Sequence, residues 1–262
     1  LFNFKKNLKV GINDYNYQMY NVYFKLLNIK SYKVKYIFSK TFFNLFEFNK
    51  KKFYELLPKV DIFFLTFPNQ ISNEDFTLGE FDRILKKYKN KKFFIDESYH
   101  GFGHQSFVKL VKKNKNIFVL RSITKTLGLA PHRIGFLVGN KVSLKKYKNF
   151  QTPYQLSIFS GKLLDFFMKN TGLIKKYQSE VVRSRDIIVN ELRKKNYLIN
   201  NPKSNFINIF LRKKEKDKVI KKSKKMKFIF KVSKISEKFF IRITFGKYKT
   251  MKKVLNIFNE KN

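Results

Sequence analysis

The chain has 262 residues, 43% of them hydrophobic and 18% aromatic, a globular balance rather than that of a disordered polymer. Lys and Arg number 58 against 18 acidic residues, a formal charge of +40. The lysines are spread along the whole chain instead of gathering on one element, so a solvated basic surface is expected and a nucleic-acid-binding face is not. No apolar run reaches the ~18 residues of a membrane span, and no signal-peptide pattern opens the chain. With no cysteine, disulfides and thiolate metal sites are excluded, which fits a reducing, cytoplasmic compartment.

The first periodic segment is Tyr17–Asn28, where Met19, Val22, Tyr23, Leu26 and Leu27 recur at helical spacing. Ser31–Phe38 reads as a strand, and Lys50–Leu57 as a short helix stopped by Pro58. Asp61–Phe67 (DIFFLTF) is a nearly continuous apolar run, the pattern of a strand buried on both faces. Thr77–Tyr88 follows as an amphipathic helix, and Lys92–Ile95 as a second buried strand ending at Asp96. Ser106–Lys113 reads as helix, with Ile117–Arg121 and Ile134–Val138 as further strands. This alternation predicts an α/β fold with a mainly parallel sheet. In such a sheet the working side chains sit just beyond the carboxyl ends of the strands.

From Pro153 to Lys195 the pattern is helical, broken near Thr171–Gly172. Strands are predicted at Phe206–Leu211, Phe228–Val232 and Phe239–Thr244, with helices at Glu215–Met226 and Tyr248–Asn259. The expected organisation is a large α/β domain over 1–150, connecting helices over 151–195, and a small α+β domain over 196–262. Lys213–Lys234 is the densest basic run, and its helical periodicity marks a solvated face.

The segment richest in chemistry is Phe93–Asn140, which holds FFIDESYHGF and then NIFVLRSITKTLGLAPHRIGFLVGN. Asp96 ends one strand with Tyr99 three residues on; Ser122, Thr124 and Lys125 follow the next, before Gly128-Leu129 and Arg133-Ile134-Gly135. Each element alone has a plain structural reading: a turn-capping Asp, a core Tyr, one solvated lysine among many. Together, in this order and at strand ends, they resemble the class I/II aminotransferases, most closely the histidinol-phosphate aminotransferase branch. The resemblance extends from Asn13–Tyr20 (NDYNYQMY) to Ile241–Gly246 (IRITFG).

The resemblance implies a fold-type I pyridoxal-phosphate transferase acting as a homodimer. Lys125 matches the family's Schiff-base lysine, whose amine must be neutral to attack an aldehyde and can afterwards move a proton at the substrate α-carbon. Asp96 matches the partner of the cofactor's ring nitrogen, keeping the ring an electron sink. Tyr99 stands at the position that bonds cofactor O3′, and Tyr17 at that of the aromatic stacked on the pyridine. Ser122, Thr124 and Arg133 match phosphate-holding positions, a dianion suiting a guanidinium fork plus hydroxyls. Arg242 matches the arginine that grips the substrate's anionic group, and Asn205, in SNF, is a candidate contact for the substrate carboxylate.

Two departures stand out. Where the family carries P-N-N-P-T-G this chain has Pro68-Asn69-Gln70-Ile71-Ser72-Asn73, so Gln70 takes the place of the amide at cofactor O3′. The family's segment before the Tyr17 motif, with a small-residue helix start that binds phosphate, has no counterpart upstream of Tyr17, so the large domain is expected to be N-terminally incomplete. Amino transfer is the leading expectation. A decarboxylase of the threonine-phosphate type shares these motifs, and a non-catalytic remnant or basic binding protein is a third reading. His100, His104 and His132 show no ligand spacing and are expected at the surface or the pocket edge.

Overall fold

The computed structural model describes residues 7–39, 45–72, 75–148, 155–200, 203–235 and 238–259. In chain order the elements are β1 (Lys9–Asn13), α1 (Gln18–Leu26), β2 (Lys30–Val34), β3 (Tyr36–Phe38), β4 (Phe46–Phe48), α2 (Lys50–Leu56), β5 (Ile62–Thr66), α3 (Leu78–Lys87), β6 (Lys92–Asp96), α4 (Val108–Val111), β7 (Ile117–Ser122), α5 (Ile123–Thr126), β8 (Gly135–Gly139) and α6 (Lys141–Lys148). Then come α7 (Ile158–Lys169), α8 (Thr171–Lys194), β9 (Leu198–Asn200), β10 (Phe206–Leu211), α9 (Lys213–Lys225), β11 (Lys231–Ile235), β12 (Lys238–Thr244) and α10 (Tyr248–Leu255).

The larger sheet has the order β2-β1-β5-β6-β7-β8 and is parallel except for β8, which runs against β7. The chain leaves β1 toward β2, then crosses back to continue on the other side at β5. That reversal makes a topological switch point at the carboxyl ends of β1 and β5, where open α/β sheets form their binding crevice. Phenylalanine builds the two faces. On one, Phe63 and Phe93 stack at 6.2 Å, with Phe53 and Phe81 against them. On the other, Phe64, Phe94 and Phe118 stack across three strands at 4.8 Å each. β1 admits this packing through Gly11, because any Cβ there would lie inside the Phe63 ring. α3 starts where Thr77 Oγ1 accepts from the Glu80 amide, and it buries Phe81, Ile84 and Leu85.

The second sheet, order β11-β12-β10-β9, is antiparallel. Its core pairs Ile207, Ile209, Ile241 and Ile243 with Val181, Ile188, Val189 and Leu192 of α8 and with Met251 and Val254 of α10.

Several boundaries differ from the sequence reading. β1 was not expected: five residues with a central glycine carry too little pattern alone. Ser31–Phe38 divides into β2, in the large sheet, and β3, which pairs with β4. Ser106–Lys113 contracts to the single turn of α4. The strand expected at Phe228–Val232 lies three residues later, because the β11–β12 register opposite Lys238 buries Ile235 and leaves Ile229 97% exposed. The helical stretch breaks at Asn170, between α7 and α8, and residues 153–154 of its expected start lie outside the described residues.

Candidate active site

The site grows from the carboxyl edge of the large sheet. At the switch point Asn13 bridges β1 and β5: its Oδ1 accepts from the Thr66 amide at 3.1 Å, and its Nδ2 donates to the Tyr36 hydroxyl at 3.1 Å. Tyr36 in turn donates to Asp75 at 2.8 Å. Burial pushes the Asp75 carboxyl up to about 6, with the Tyr36 bond and the nearby Lys50 charge pulling the other way.

Asp96, the last residue of β6, is only 7% exposed. Its Oδ2 accepts from the Tyr20 hydroxyl at 2.7 Å, and its Oδ1 from the Ser98 amide and hydroxyl at 2.9 and 2.5 Å. Among the described residues no cation pairs with it. Burial, reinforced by the Asp96 charge, raises the Tyr20 phenol far above its usual value, so that hydroxyl stays a donor. Sequence reasoning missed Tyr20. Its signal lay in NDYNYQMY, where Tyr20 precedes the buried Phe24 by one helical turn.

Lys125 stands in α5, the turn that follows β7. The Thr126 hydroxyl donates to the Ser122 carbonyl, and the Asn205 amide reaches across to the Lys125 carbonyl at 3.2 Å. The Lys125 ammonium lies 4.4 Å from the centre of the Tyr99 ring and 5.6 Å from that of Tyr17. It has no carboxylate partner among the described residues. Tyr99 is backed edge-on by Phe206 at 5.0 Å. Tyr17, Gln70, Asp96, Tyr99, Lys125 and Arg242 line one cavity of about 560 Å³.

Arg242 enters this cavity from β12. Its Nε donates to Asn208 Oδ1 at 3.0 Å and its Nη1 to Gln70 Oε1 at 3.0 Å, with Phe206 4.2 Å beneath the guanidinium. Burial pulls the Arg242 pKa down, and Tyr99 opposes that shift. The Gln70 amide is therefore already engaged, its Nε2 donating to the Asn16 carbonyl at 2.8 Å.

Four expected residues do not line this cavity: Ser122, Thr124, Arg133 and Asn205. Ser122 and Thr124 share a hydroxyl bond of 2.6 Å, and Ser122 also donates to the Ile134 carbonyl. Arg133 is exposed, sits at φ 52°, and reaches only the Ala130 carbonyl at 3.5 Å. Ser122 lines instead a larger, mostly apolar cavity of about 1540 Å³ on the Phe64–Phe94 face of the sheet. Asn205 is buried beside Lys125, but its amide donor is directed to the Lys125 carbonyl, leaving Oδ1 without a partner among the described residues.

The histidines divide. His100 has its pKa pushed down to about 4 by burial and then by the Arg121 and His104 charges. His104, expected at the surface or the pocket edge, is 7% exposed, its ring packed near Phe107 and its Nδ1 on the Gln105 carbonyl. His132 is half-buried and stacks on Phe159. Among the described residues no group of three metal-type ligands converges.

A buried carboxylate without a cation and a lysine without a carboxylate, sharing one aromatic-walled cavity, suit a flat, cationic heteroaromatic ring bearing a reactive carbonyl. Comparison with known proteins points to the same chemistry. The family described as aminotransferase class I and II matches residues 1–258, and the chain belongs to that family. A histidinol-phosphate aminotransferase of Sulfurisphaera tokodaii is 28% identical over 201 residues, which cover 76% of this chain and 56% of that protein. The chain thus spans little more than half the length of this curated relative. The fold is shared with the solved histidinol-phosphate aminotransferase of Clostridium acetobutylicum, at a TM-score of 0.80 and 21% identity over 96% of this chain and 77% of the other. It is shared too with that of Sinorhizobium meliloti, solved with pyridoxal 5′-phosphate, at a TM-score of 0.81 and 12% identity over 97% and 70% of the two chains.

Proposed function

We propose that this chain carries the catalytic site of a pyridoxal-phosphate-dependent aminotransferase, moving an amino group between an amino acid and a keto acid or related carbonyl acceptor. The observation that carries the reading is the shared cavity of Asp96 and Lys125, each lacking an ionic partner among the described residues. When bound, the cofactor takes up the amino group and serves as electron sink for the substrate carbanion. Asp96, its carboxylate fixed by Tyr20 and Ser98, would hold the ring nitrogen. Lys125 would hold the cofactor through its amine and, when free, would move a proton at the substrate α-carbon. The Tyr99 hydroxyl would bond the ring oxygen and Tyr17 would cover the ring. Gln70 acts on that ring oxygen only if its bonds to Arg242 and Asn16 are exchanged.

Arg242 grips the substrate carboxylate through a planar fork. Lys33, Lys231 and Lys234 line the same cavity, so a substrate with a second anionic group fits, as the relatives' phosphorylated substrate does. Ser122, Thr124 and Arg133, which lie apart from the cavity, would reach the phosphate only if their present bonds were exchanged for it. Asn205, its donor on the Lys125 carbonyl, supports the lysine's turn more directly than it reaches a carboxylate.

The same reading divides the chain into a cofactor-binding domain over 1–150, connecting helices over 151–195 and a small domain over 196–262, supported by the two largest core clusters, each built mainly around one sheet. It includes a homodimer, supported by the exposed apolar side chains of Ile158, Phe159 and Phe166 on α7. A cytoplasmic setting is supported by the lack of cysteine and by the absence of any helix, among the described residues, long and apolar enough to cross a membrane.

Borohydride reduction in the presence of pyridoxal phosphate, followed by peptide mass mapping, tests the proposal. The reduced cofactor should be found on Lys125 and be lost in Lys125→Ala. Adducts scattered over other lysines, with Lys125 unmodified, would remove it.

A further inference from the structure

We infer that Asn208, a buried amide on β10, is a positioning residue that aims Arg242 and so sets affinity for the substrate carboxylate; this rests on the reading of Arg242 given above. β10 (FINIFL) is buried along its whole length. Ile207, Ile209 and Leu211 belong to the core under α8 and α10, while Phe210 packs on the opposite face against Phe46 and Ile71. Asn208 lies on the Phe206–Phe210 face at 0% exposure, where an apolar residue would be the ordinary occupant.

A buried amide is costly unless its bonds are made. Here both ends are used, and on the same machinery. Oδ1 accepts from Arg242 Nε at 3.0 Å, and Nδ2 donates to the Gln70 carbonyl at 2.7 Å. The pairing is built into the sheet, since the β10–β12 register sets Asn208 directly opposite Arg242. Gln70 completes the frame, its Oε1 on Arg242 Nη1 and its carbonyl 3.5 Å from Nη2.

Of the five guanidinium N–H groups, these bonds engage Nε–H and one hydrogen on each terminal nitrogen. One hydrogen on Nη1 and one on Nη2 remain for an incoming anion. Phe206 under the guanidinium plane prevents it from tilting away. Asn208 thus does not touch substrate. It fixes the rotation of Arg242 about its own long axis, and it ties β10 to the loop that carries Gln70.

The test measures the Kd of the pyridoxal-phosphate-loaded protein for an L-amino acid and for the matching amine that lacks the carboxylate, read from the absorbance of the bound cofactor. Asn208→Leu should weaken the amino acid about tenfold and leave the amine unchanged. Asn208→Asp, which keeps the acceptor but places a competing carboxylate on Arg242, should weaken the amino acid further still, again sparing the amine. Arg242→Lys separates the two failures. If it leaves amino-acid affinity unchanged, the role given to Arg242 falls and this inference with it. If it weakens the amino acid while both Asn208 variants bind like the parent, or if they weaken amine and amino acid alike, the inference about Asn208 alone is overturned.

Discussion

The two halves of the candidate site are built in opposite ways. Around Asp96, Lys125 and Arg242, restraints arrive from distant parts of the chain as well as from nearby: Tyr20 joins Ser98 in holding Asp96, Asn205 holds the turn of Lys125, and Gln70 and Asn208 hold Arg242. Around Ser122, Thr124 and Arg133 the bonds stay within residues 122–134: hydroxyl to hydroxyl two residues apart, Ser122 to the Ile134 carbonyl, and guanidinium to a carbonyl three residues back. Long-range bonds fix side chains in place before any ligand arrives, which is the meaning of preorganisation. Local bonds satisfy the same groups without aiming them at the cavity. On the proposed reading, the half that would hold the ring is therefore tied together by long-range bonds, and the residues assigned to the phosphate are bonded within their own segment.

Mutations can break that contrast. Asp96→Asn removes the charge that faces the ring and should lower amino transfer about 100-fold, measured as keto-acid product. Tyr20→Phe removes one bond to a charged oxygen and should weaken cofactor binding about tenfold, read by fluorescence titration. A Tyr20→Phe protein that binds like the parent would show that Asp96 needs no support from α1.

A pH effect probes the buried relay of Asn13, Tyr36 and Asp75 behind the cavity. Asp75 titrates near 6 in the folded protein, above its unfolded value, so its contribution to stability is complete at acid pH and is lost as pH rises through 6. Asp75→Asn abolishes that titration while keeping an acceptor for Tyr36. Its urea midpoint should exceed the parent's above pH 7, and the gap should close between pH 6 and 4 by up to about 1.4 kcal/mol per pH unit. A gap that stays constant over that range would contradict the assignment. The smallest effect is expected at Arg133, where Arg133→Ala should change cofactor affinity by less than about threefold, because the side chain is exposed and bonded only locally. A loss equal to that of Asp96→Asn would erase the distinction between the halves.

Much of this was legible in the sequence, and the reasons are physical. DIFFLTF and KFFID announce buried parallel strands by their continuous apolar character, and a charged or nucleophilic residue just past such a strand has few structural reasons to be there. Asp96 and Lys125 became readable only through the combined pattern of FFIDESYHGF and RSITK, since either residue alone has a plain structural reading. Tyr20 and Asn208 were not, because their roles are bonds to residues 76 and 34 positions away, which no local pattern encodes. Gly11 explains itself only once the Phe63 ring lies over it. The displacement of β11 follows the same rule: FIF is the more apolar tripeptide, but pairing with β12 and the burial of Ile235 decide the register.

The most direct measurement compares pyridoxal with pyridoxal phosphate, trapping each on Lys125 with borohydride across a concentration series. With the ring half prebuilt, half-saturation by pyridoxal should lie within about tenfold of that by the phosphorylated form, and Asp96→Asn should shift both by a similar factor. A requirement for the phosphate of about 1000-fold, or curves that ignore the loss of the Asp96 charge, would show that the ring is not held as the geometry of Asp96 and Lys125 requires.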